Sequence, residues 1–121
     1  MSKVGKVYNR HIEFSPDTTV IYPNKLSGTD SSQAITQNVT AGKITSSTTN
    51  LAADTTETIT LTNRCIQATS VVLATCGGGG AGDVTIVEVA PAAGSCVFKV
   101  RNVDATNACD AAYFINYIVF N

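Results

Sequence analysis

The chain has no tryptophan, one histidine and one methionine in 121 residues. Acid–base catalysis needs titratable groups converging in a cleft, yet the nine acidic residues stand singly, several of them in turn-like segments. His11 is far in sequence from every cysteine, which leaves a catalytic thiol without an obvious base. Charge is scarce as well, at 14% of residues against about 25% in an average domain. Threonine and serine fill the gap. Such a surface suits packing against other subunits better than free solution, where charge keeps proteins apart. No apolar run approaches the ~20 residues that a membrane-spanning helix needs. No apolar stretch follows the basic residues of MSKVGKVYNRHIEF, so no secretory signal is expected. Without a secretory route, the sequon Asn38-Val39-Thr40 reads as chance.

What charge there is lies unevenly. The net charge is −1, which gives no overall nucleic-acid footprint. The first twelve residues nevertheless hold Lys3, Lys6 and Arg10 and no acid. Such an arm can be a solvated tail, bind nucleic acid or bind an acidic protein surface; three charges favour the protein surface. Val4, Val7, Ile12 and Phe14 are its candidate anchors.

From Gly42 onward the apolar residues come in short runs between Gly-, Asn- and Asp-containing breaks. None has the length and 3.6-residue spacing of an amphipathic helix. Strands are expected at Gly42–Thr45, Thr56–Asn63, residues 69–76, Asp83–Ala90, Cys96–Val103 and Ala112–Phe120, with SSTTNLAADTTE as a connection. In Thr56–Asn63 the alternation puts Ile59 and Leu61 inward and Thr58, Thr60 and Thr62 outward. Residues 69–76 are almost continuously apolar, as expected of a strand covered on both faces. Asp83–Ala90 reads as Val84, Ile86 and Glu88 on one face against Thr85, Val87 and Val89 on the other. The final strand carries Ile115, Tyr117 and Val119 on one face and Phe114, Ile118 and Phe120 on the other. One of those faces is core, and the other is expected to meet a neighbouring subunit. Before Ala41 the chain is polar and rich in turn residues. Thr18–Pro23 reads as a short edge strand, and Ala34, Ile35 and Val39 as a weak strand or ordered loop. The expected layout is therefore an arm and polar connection over 1–40 and a sandwich over 41–121. The fold class is all-β, a Greek-key or jelly-roll-like sandwich of about seven or eight strands.

Three patterns resemble chemical sites. Gly77, Gly79 and Gly82 form a literal G-x-G-x-x-G after a strand, but a strand follows where a dinucleotide site needs a helix, so a flexible hairpin is expected. Asp104, Asn107 and Asp110 could offer oxygens to calcium, although their spacing is not that of an EF-hand and such residues commonly build turns. Cys65, Cys76, Cys96 and Cys109 lack zinc-site spacing. Buried free thiols, or one or two disulfides, both suit them, with Cys76 and Cys96 on core faces. Tyr8 and Tyr22 could stack on a sugar, while Tyr113 and Tyr117 read as core or interface. No enzyme, metal or cofactor is expected.

The order of LAADTTETITLTN, the Gly-rich hairpin, Gly94-Ser95, VRNV at Val100–Val103 and the Ile115-Asn116-Tyr117 strand resembles a small β-sandwich domain. That domain belongs to virion structural proteins of tailed phages and some large aquatic viruses. The motif positions are Leu51–Ala53, Thr60–Asn63, Gly77–Gly82, Gly94–Ser95, Val100–Val103 and Ile115–Tyr117, about two-thirds of the chain; residues 1–40 lie outside them. The resemblance implies a capsid decoration (cement) protein in the virion, assembled in the host cytoplasm. Its partner would be the major capsid protein or another virion protein, with neighbours of its own kind in a homo-oligomer such as a trimer. Neither nucleic acid nor membrane would be involved. Lys3, Lys6, Arg10, Ile12 and Phe14 would bind the shell, and Phe114, Ile118 and Phe120 would face a subunit. The alternative is a head or tail knob binding a host glycan through the loops at Gly77–Asp83 and Asp104–Asp110.

Overall fold

The computed structural model describes residues 25–121. The proposed arm residues and the strand expected at Thr18–Pro23 lie outside that range. Eight strands follow one another with no helix among the described residues: β1 (Leu26–Thr29), β2 (Ala34–Thr36), β3 (Ala41–Thr45), β4 (Thr56–Thr62), β5 (Val71–Gly78), β6 (Val84–Ala92), β7 (Ser95–Asn102) and β8 (Tyr113–Phe120). They form two four-stranded sheets, sheet I in the order β1-β3-β8-β5 and sheet II in the order β2-β4-β7-β6. β1 pairs with β3, and β2 with β4, in parallel; every other pairing is antiparallel. β3 and β8, in one sheet, enclose in sequence the β4–β7 pair of the other, which is the nesting of a jelly roll. The fold is the expected all-β sandwich.

Six of the expected strands are found, shifted by a residue or two at their ends. The difference lies before Ala41. Residues 26–29 and 34–36 form edge strands of the two sheets, so the sheets begin ahead of the expected boundary. Ala34–Thr36 is the weak strand considered there, while Leu26–Thr29 read as polar connection because an edge strand is only partly buried.

Alternation sorts the core. Ile59 and Leu61 from β4, Cys96, Phe98 and Val100 from β7, and Tyr113, Ile115, Tyr117 and Val119 from β8 all point between the sheets. The Phe98 and Tyr117 rings meet at 6.0 Å between centroids. Burying side chains of this size is worth roughly 1.5–3 kcal/mol each, and this supplies most of the drive to fold.

Two strand readings are corrected. β5 is an edge strand, not one covered on both faces: Val71 is 56% exposed and Leu73 58%, while Val72 between them is buried. In β6 the register slips between Ile86 and Glu88. The extra residue of this bulge turns Val87 out to solvent and brings Val89, with Val84 and Ile86, onto the core.

Candidate functional site

The two loops proposed for glycan binding meet at one end of the sandwich. The Gly77–Gly82 hairpin is clamped rather than flexible. Gly79 N–H donates to Ala112 O at 3.0 Å, and Asp110 Oδ1 accepts from Ala81 N–H at 2.8 Å. Gly80 sits at φ +63°, with Asp110 Oδ1 where a Cβ would be, so glycine alone fits there. Asn102, fully buried, joins the neighbouring segments. Its Nδ2 donates to Leu51 O and Asn107 O, and its Oδ1 accepts from Asp83 N–H and Asp104 N–H. Asp104 accepts from the Asn107 and Thr106 amides at 2.8 and 2.9 Å, and these bonds hold its carboxyl down to about 2. Of the acids considered for calcium, Asp104 thus caps its own turn and Asp110 holds the Gly-rich hairpin, and no group of three His, Cys, Asp or Glu side chains converges among the described residues.

The cysteines are free thiols. Cys96 and Cys109 are buried, and Cys65 and Cys76 half-buried. Burial pushes the Cys96 thiol up to about 11, which makes it a poor nucleophile at neutral pH.

Two tyrosines cross the core from β8. The Tyr113 hydroxyl donates to Glu57 Oε1 on β4, and the Tyr117 hydroxyl donates to Gln37 Oε1, just past β2, at 2.8 Å. Each fastens sheet I to sheet II. Desolvation raises both phenols, with the Glu57 carboxylate adding to it at Tyr113; Tyr117 reaches about 12.

The outer faces of the two sheets differ in kind. On sheet II, Thr58 lies opposite Lys99 and Thr56 opposite Arg101. Lys99 pairs with Glu88 at 3.0 Å, and Arg101 with Asp54. Threonines and ion pairs make a face for water. On sheet I, register sets Val71 beside Phe120 and Leu73 beside Ile118, with Ala41 on Ile118's other side. Phe120 is 46% exposed, and Phe114 and Ile118 are half-buried. The Phe114 ring covers Gly77, and Lys43 Nζ sits 4.5 Å from its centroid. No acid stands on any strand of sheet I.

Phe114, Ile118 and Phe120, singled out from the sequence, therefore share one outer face. Val71 and Leu73 join them, which the sequence reading missed because it treated β5 as covered on both faces. Lys3, Lys6, Arg10, Ile12 and Phe14 lie outside the described residues. Compared with family models, curated proteins and solved structures, the chain matches none.

Proposed function

We propose that the chain is a non-enzymatic structural protein of a virus particle: a capsid decoration protein that binds the major capsid protein and stabilises the shell. The observation that carries this reading is the contrast between the two outer faces. An apolar stripe of Val71, Leu73, Ile118 and Phe120 on an acid-free sheet is a surface to be covered, and the threonine-rich sheet opposite is one to be left wet. With sheet I against the shell or a sister copy and sheet II outward, the module adds buried area across joints between shell subunits. Binding only the assembled shell, it shifts assembly by mass action.

The stripe's few side chains fall short of the roughly 20–30 residues a side of a standard interface. A second attachment is required, and residues 1–14 supply it, with Lys3, Lys6 and Arg10 as charges and Ile12 and Phe14 as anchors. A tether of this kind raises the effective concentration of a weak face. A glycan-binding knob is the weaker reading, because the polar groups of its loops are spent on one another.

The test is add-back to particles stripped of the protein. Wild type restores full occupancy. Leu73→Asp with Phe120→Asp, and separately removal of residues 1–20, should each reduce occupancy at least tenfold. Normal occupancy by both would sink the proposal.

A further inference from the structure

A cleft of about 580 Å³ opens where β1 begins, between the turn at Asn38–Thr40 and the turn at Arg64–Cys65. Lys25 and Arg64 bring two cations to it, Leu26 and Val39 give it apolar wall, and none of its described lining residues is acidic. Its sides are fixed from beneath by Asn63, which is fully buried: Nδ2 donates to Val39 O at 2.7 Å, and Oδ1 accepts from Cys65 N–H at 2.9 Å. Asn38 Oδ1 also accepts from Arg64 N–H at 2.9 Å. The two turns are thus tied together before any ligand arrives, so little ordering is left for binding to impose. Among the described residues β1 pairs only with β3, which makes it an edge strand beside the cleft.

We infer that this cleft docks an extended acidic peptide segment of a protein partner. The cations meet its carboxylates, Leu26 and Val39 meet its aliphatic carbons, and the edge of β1 meets its backbone. The chain's own first twelve residues are the wrong occupant, since they are basic and carry no acid. A nucleic acid is a poor fit too: tight phosphate-backbone binding commonly uses about six to ten contacts, and the cleft supplies two cations. The inference rests on the assembly reading only in making the shell protein the source of the segment.

The experiment follows the backbone amides of the full chain by NMR during titration with the peptide acetyl-Glu-Leu-Glu-Leu-Glu-amide at about 50 mM salt. Its counterpart with lysine for glutamate and inorganic phosphate serve as controls. The acidic peptide should shift Lys25, Leu26, Asn38–Thr40 and Arg64–Cys65. Lys25→Glu with Arg64→Glu should weaken binding roughly twentyfold while leaving the core amides in place. Raising the salt to about 500 mM should weaken it several-fold. Equal binding of the lysine peptide, shifts elsewhere, equal shifts by phosphate alone, or unchanged affinity in the double variant would each overturn the inference. Peptide binding by a protein that never decorates particles upholds the cleft and removes the assembly reading. Decoration without peptide binding does the reverse.

Discussion

Asn63 and Asn102 stand at the ends of β4 and β7 and do similar work at opposite ends of sheet II. Each is fully buried with its amide bonded to backbone, so removing either leaves several buried groups without partners. Asn102→Ala should cost about 3 kcal/mol in urea denaturation and speed amide exchange in the Gly-rich hairpin. The sequence does not show their role, because Asn102 reaches a partner 51 residues away. Gly42 is set by close approach: a Cβ there would lie 2.5 Å from the Tyr117 hydroxyl and 2.6 Å from Gln37 Oε1. Gly42→Ala should therefore destabilise by about 2 kcal/mol, read as a lower urea midpoint with an unchanged slope. The tyrosines also predict an alkaline limit. Both phenols are held neutral in the fold, so their contribution is whole below the free value near 10 and is lost as pH rises through the folded value. Absorbance at 295 nm should show neither ionising at pH ~11 until the chain unfolds.

Among the elements, β4, β7 and β8 were the most legible, because alternation of apolar and polar residues is the direct imprint of one buried face. β6 was not, since one inserted residue reverses which face every later side chain takes. β5 misled for a different reason. Val71 and Leu73 are apolar without being core, and a sequence does not distinguish an apolar residue facing the core from one on the outer face of an edge strand. Leu73→Asp should consequently leave stability within about 0.5 kcal/mol while abolishing any self-association measured by light scattering. The loop at Asp104 has its own pH signature. Its carboxyl is lowered, so its bonds persist above about 3.8 and are lost as pH falls through about 2, which NMR of the Thr106 and Asn107 amides would follow.

At the scale of the molecule, the fold class came directly from strand lengths and turn chemistry, and the site did not. An apolar outer face packs against nothing within the described fold, so the sequence marks it only as a surplus of apolar side chains on a strand. The extra stripe on β8 was visible in that form; the cleft at Lys25 and Arg64 was not, because it is assembled from three separated segments. Removing residues 1–20 should leave the sandwich folded, read as a cooperative urea transition, since the described residues alone supply eight strands and a closed core cluster.

β8 lies between β3 and β5, although it is the last strand made. During synthesis β3 can pair only with β1, and β5 has no partner in sheet I, until β8 appears, so sheet I waits while sheet II can already pair. A chain cut short before Tyr113 would leave β5 unpaired, one edge of β3 open and the core uncovered, and would be prone to aggregation. The order of translation thus ties closure of the core to the arrival of β8.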